Sequence, residues 1–123
     1  MATSPTSRSL QVLREEGWLA EKVEHYHHYE RKTFDLFGIA DIAAARADVP
    51  GLLLIQCTSQ SNKSSRWQKL ISAPASRILL SAGNRIEVWT WGKRGKKGQR
   101  KTWQLQRKPV TLADLTLVES EQE

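Results

Sequence analysis

The sequence predicts one α/β (α+β) domain, a mixed β-sheet flanked by helices. Three observations predict it. A chain of 123 residues with 39% hydrophobic and 26% charged residues suits one domain around one core. The stretch "LLLIQCT" (52–58) is apolar on both faces, as a strand covered above and below must be. Helical spacing of apolar residues recurs before and after it, so the order reads helix, strand, strand, strand, helices, strand, strand.

Residues 1–7, rich in Thr, Ser and Pro, read as a flexible leader. "SRSLQVLREEG" is the first helix: Leu10 and Leu13 share a face, Ser7 or Ser9 caps it and Gly17 ends it. Trp18 to Tyr29 reads as one strand, and "ERKTF" as a loop or hairpin connection. "FGIADIAAA" is a short strand, "RADVPG" a turn, and "LLLIQCT" the central strand. "SQSNKSSRWQKLIS" opens with capping chemistry and continues as a helix, with Trp67, Leu70 and Ile71 at helical spacing. Pro74 suits the first turn of a second helical segment, and Gly83 its stop. "NRIEVWTWGKRG" and "KTWQLQRK" are two strands joined by a basic hairpin loop. Thr111 and Asp114 form a capping box. The domain is expected over 8–118, with an acidic tail at 119–123.

Charge is unevenly placed. There are 19 Lys and Arg against 13 Asp and Glu, a net of +6, and six cations fall between Lys93 and Lys101. Such a cluster on a small domain points to a polyanionic partner, most simply nucleic acid; a solubilising surface is the competing reading. No apolar run is long enough to span a bilayer, and "MATSPTSRSL" has no signal-peptide core, so the cytoplasm is the expected location. The single cysteine, Cys57, makes no internal disulfide and reads as a small core residue.

Alternation along the central strand sends Leu52, Leu54, Gln56 and Thr58 to one face and Leu53, Ile55 and Cys57 to the other. Gln56 and Thr58 then emerge together at its C-terminal end, and if the preceding strand pairs alongside, Asp41 sits beside them. A carboxylate and a side-chain carbonyl are hard oxygen ligands of the kind Mg²⁺ takes, and a bound metal activates water for phosphodiester hydrolysis.

These residues resemble the PD-(D/E)XK nuclease superfamily, and within it small Holliday-junction-resolvase-like and phage or bacterial endonuclease-like proteins. "LREEGWLAEKVE" matches the helix and first strand, "IADIAA" the Asp strand with Ala40 where Pro is usual, and "LLLIQCT" the strand ending in the acid-X-Lys motif. The resemblance covers roughly residues 8–91 and rests on order and spacing. It implies a restriction-endonuclease-like core and a metal-dependent DNA endonuclease using Mg²⁺ or Mn²⁺. It further implies branched or duplex DNA as substrate, a homodimer, and a bacterial, archaeal or phage-infected cell. Asp41, Gln56 and Asp35 would hold the metal. Gln56 stands where the motif acid belongs and Thr58 where its lysine belongs. Thr58 would position water or phosphate, Lys63 would be the substitute cation, and Glu15 or Glu16 an additional helix ligand. The missing lysine keeps a second function open, a catalytically inactive nucleic-acid-binding module on the same fold.

Phosphate contacts are expected from Arg31, Lys32, Lys63, Arg66 and Lys69, and from Lys93, Arg94, Lys96, Lys97, Arg100 and Lys101 in and beside the hairpin loop. Competing structural readings stand beside these sites. Asp41 also suits an edge acid, and Asp35 a turn hydrogen bond. His25 and His27 share a strand face, but an exposed or nucleic-acid-facing strand fits them better than a metal lacking further ligands. Trp89, Trp91 and Trp103 suit either cross-strand packing or a base-stacking platform.

Overall fold

The computed structural model describes residues 3–115. A mixed five-stranded sheet is flanked by helices on both faces. Helix α1 (Pro5–Glu15) leads into β1 (Leu19–Lys22), and a small hairpin of β2 (His25–His27) and β3 (Lys32–Phe34) stands apart from the main sheet. There follow β4 (Ile42–Arg46), β5 (Val49–Ser59), α2 (Lys63–Ser72), α3 (Pro74–Ser81), β6 (Arg85–Arg94) and β7 (Thr102–Val110). The main sheet runs β1-β4-β5-β6-β7. The β5–β6 pair is parallel, joined through α2 and α3, and the other neighbours are antiparallel.

The central position of β5 follows from its apolar content. Leu53, Ile55 and Cys57 pack with Leu13 of α1, Ala20, Ile42, Ala44 and Trp89. Leu54 joins Ile39, Leu70, Ile86, Val88 and Val110 on the opposite face, under α2 and α3. Each β5 residue from Leu53 to Thr58 is buried, because helices cover both faces. Gly51 sits at the start of this strand with φ 74°, and a Cβ there would lie 2.2 Å from the carbonyl oxygen of Gly83. Only glycine lets the two chain segments approach so closely.

Several elements differ from the sequence reading. The leader ends early: Ser4 Oγ accepts from the Ser7 amide and Pro5 occupies the first turn, so α1 begins at Pro5 rather than at residue 8. Ser9, offered as a cap, is instead buried inside the helix, where its hydroxyl donates to Pro5 O and accepts from Trp91 Nε1. The strand expected from Trp18 to Tyr29 divides into β1 and β2, and "ERKTF" contains β3. The reason is pairing: β1 partners β4, whereas β2 partners β3 through a turn with Arg31 at φ 53°. Thr111 and Asp114 form the reciprocal cap, and 112–115 is helical. The acidic tail, 119–123, lies outside the described residues. Among those residues no helix is long and apolar enough to cross a membrane.

Candidate functional site

Three chain segments bring acids to the C-terminal half of β5. Asp41 immediately precedes β4, and its amide donates to Ile55 O across 2.8 Å, which holds it against the central strand. Its own carbonyl accepts from the Val23 amide at 2.8 Å, so the chain just beyond β1 is fixed beside it and Glu24 follows at once. Asp35 opens the tight turn 35–40. There Phe37 and Gly38 both have positive φ, 55° and 75°, and Leu36 bridges back to Ala40. That reversal returns Asp35 towards Asp41. Carboxylate oxygens of Glu24, Asp35 and Asp41 all lie within 4.8 Å of one another.

The cluster lines a cavity of about 270 Å³ with Thr6 of α1, Thr33, Gln56, Cys57, and the α2 cations Arg66 and Lys69. Asp41 is 4% exposed, and its Oδ2 accepts from the Cys57 amide at 2.8 Å and from Gln56 Nε2 at 2.7 Å. Burial, then the neighbouring Asp35 carboxylate and the charge of Glu24, push the Asp41 carboxyl up to about 8, although the Cys57 amide opposes this. Lys69 Nζ donates to Asp35 Oδ2 at 2.7 Å and to Gln56 Oε1 at 3.3 Å. The result is a chain, Lys69–Gln56–Asp41, with Lys69 also paired to Asp35. The orientation of the Gln56 amide follows from its partners, since an ammonium can only donate and its NH₂ must meet the carboxylate.

This arrangement corrects the expected roles. Gln56 does not turn its carbonyl towards the acids; its oxygen faces Lys69 and its nitrogen faces Asp41. Lys63 does not reach back to the site. Its Nζ donates to Gln106 Oε1 on β7, and it lines a separate cavity beside Trp67 and Lys108. Lys63 and Lys69 are six residues apart on α2, roughly 120° apart around a 3.6-residue helix, whereas Arg66 and Lys69 share a side. Thr58 is buried, and its Oγ1 donates to Ser59 O rather than into the cavity. Glu15 and Glu16 lie at the far end of α1 from Thr6. Glu15 accepts from Gln11, and Glu16 pairs with Arg107, which holds the Glu16 carboxyl below its usual range.

Glu24 is absent from the site residues expected from the sequence, and Lys69, expected as a phosphate contact, lines the cavity paired with Asp35 and Gln56. The signal for Glu24 was its place directly after Val23, at the end of a strand pairing with the Asp41 segment.

The remaining cations are distributed around the molecule. Arg31 and Lys32 are exposed on the β2–β3 hairpin, and Lys32 Nζ lies 5.1 Å from the Phe34 ring centre. Lys93 and Arg94 end β6, and Lys96, Lys97, Arg100 and Lys101 are exposed in the loop to β7. His25 is exposed and pairs with Phe34 in the hairpin register. Cys57 is buried, and burial pushes its thiol up to about 12. No protein-family model, curated protein or solved structure matches the chain.

Proposed function

We propose that this chain is a metal-dependent endodeoxyribonuclease with a PD-(D/E)XK-like core. What carries the reading is the convergence of Glu24, Asp35 and Asp41 within 4.8 Å, with Lys69 tied to Asp35, at the C-terminal half of the central strand. The donor set fits Mg²⁺ or Mn²⁺, since three carboxylates offer hard oxygens. Burial is the main cause that pushes the Asp41 carboxyl up, and the Asp35 and Glu24 carboxylates beside it add negative charge that a divalent cation would relieve.

When bound, such an ion would supply an activated water and neutralise charge developing on the phosphate. The chain's own residues do the rest. Gln56 holds the Asp41 carboxylate in one orientation. Lys69 brings to the site the cation absent at Thr58, from α2 instead of β5. Arg66, one turn before Lys69, faces the same cavity and is placed for a phosphate oxygen. The exposed loop cations extend this positive character along the sheet. A homodimer acting on branched DNA is the form implied by the family likeness.

One observation favours a second reading, a binding module without catalysis. The acids are already partnered from within, Asp35 by Lys69 and Asp41 by Gln56 and Cys57. Purified protein incubated with branched, nicked, linear and single-stranded DNA, in Mn²⁺ and in EDTA, separates the two. Mn²⁺-dependent cleavage of any of these supports the nuclease. Binding without cleavage under all conditions supports the module.

A further inference from the structure

Of the three tryptophans on the α1 face of β6 and β7, two are structural. Trp89 is fully buried in the core, and Trp91 is 8% exposed with its Nε1 donating to Ser9. Trp103 is different: it is 44% exposed, opposite Lys93 in the β6–β7 register. Arg8 of α1 lies over it, with the guanidinium carbon 4.4 Å from the ring centre and 6.0 Å from that of Trp91. Lys93 Nζ lies 5.5 Å from the same ring.

We propose that Trp103, with Arg8 and Lys93, forms a stacking site for an unpaired nucleotide. The proposal rests on nucleic acid being the partner and names its form, a single-stranded segment. A large aromatic ring left half-exposed beside two cations offers aromatic surface to a base and positive charge to the adjoining phosphate. The buried Nε of Arg8 has no hydrogen-bond partner, and no carboxylate among the described residues pairs with Arg8.

Position supports the same conclusion. Cys57, which lines the acidic cavity, is in register with Trp89, and Lys93 lies four residues further along β6. At about 3.3 Å per residue, the Trp103–Lys93 pair lies about 13 Å further along the strand direction than Cys57, towards the same end of the sheet. The basic loop 95–101 begins just past it. A strand leaving the acidic cavity would therefore meet an aromatic step before the loop cations.

Fluorescence anisotropy in EDTA tests this apart from cleavage. The probes are a labelled single-stranded DNA oligonucleotide and a blunt duplex of equal length. Trp103→Ala should lower single-strand affinity between about 5- and 100-fold and leave duplex affinity within about twofold, because stacking needs an unpaired base. Trp103→Phe should restore most of the loss, and circular dichroism should show both variants folded. Equal losses on both probes, or no loss on either, would overturn the stacking site while leaving the acidic centre standing. A parent protein that binds neither probe would overturn nucleic acid as the partner as well.

Discussion

Lys69 on α2 and Asp35 in the loop before β4 meet at 2.7 Å, although 34 residues separate them in sequence. The same ammonium reaches Gln56 Oε1, so one side chain from a helix fixes both the loop acid and the β5 amide. Lys69→Ala should therefore lower Mn²⁺-dependent cleavage by about 100-fold or more, the usual cost of removing a preorganised charge-stabilising donor. Lys63→Ala should change cleavage only a few-fold, since Lys63 bonds to Gln106. Single-turnover rates of the two variants, measured side by side, check the assignment. Equal losses would return Lys63 to the site.

The Asp41 carboxyl gives a pH dependence of definite sign. Its folded-state value, about 8, lies above the ordinary 3.8 that the unfolded chain takes, so folding favours the protonated form. The stability this contributes is complete below pH 3.8 and is lost as pH rises through about 8. In EDTA the Tm should fall between pH 5 and pH 8, and Asp41→Asn should flatten that part of the profile. Mn²⁺ should raise the Tm more at pH 8 than at pH 5, because it competes with the proton. Thermal melts of both proteins over this range are the check.

Gln56→Glu exchanges a donor for a fourth carboxylate beside Asp41. Above pH 8 without metal, where Asp41 is ionised, the new anion loses the hydrogen bond to Asp41 Oδ2 and repels Asp41, so a loss of about 1–3 kcal/mol in stability is expected there. Added Mn²⁺ should recover the loss, because the variant restores the acid of the family motif. Melting in EDTA and in Mn²⁺ measures both effects. A variant as stable as the parent in EDTA would mean that the Gln56–Asp41 bond contributes little.

The loop between β6 and β7 predicts a salt effect. Phosphate contacts release condensed counterions, so binding weakens as salt rises. Replacing Lys96, Lys97, Arg100 and Lys101 together with Ala should weaken DNA binding for every sequence alike. It should also reduce the slope of log affinity against log salt by about one unit for each phosphate left without its cation. Affinities at several salt concentrations provide the slope. An unchanged slope would make the loop a solvated surface.

Much of the sheet was legible because one strand carried an unambiguous pattern. Alternation along Leu52–Thr58 assigned Leu53, Ile55 and Cys57 to one face and Leu54 to the other, as found. It also put Gln56 beside Asp41. That Lys69 rather than Lys63 reaches the acids was not legible in the same way. It depends on the angle at which α2 crosses the sheet, which tertiary packing sets. Glu24 was hidden because Trp18–Tyr29 looks uniformly strand-like, and only pairing partners reveal where β1 stops. Ser4 was overlooked as a cap because the polar residues around it read as a leader, whereas Pro5 supplied the helix-start signal.

Everything proposed for the acidic cavity depends on Glu24, Asp35 and Asp41 forming a divalent-metal centre. The decisive measurement is calorimetric titration of Mn²⁺ into the DNA-free protein at pH 8, with Asp41→Asn and Glu24→Gln alongside. Saturable Mn²⁺ binding by the parent is expected, with affinity weakened by about tenfold or more in each folded variant, since each loses one of three anionic ligands. No Mn²⁺ uptake by the parent, or equal uptake by Asp41→Asn, would contradict the metal centre.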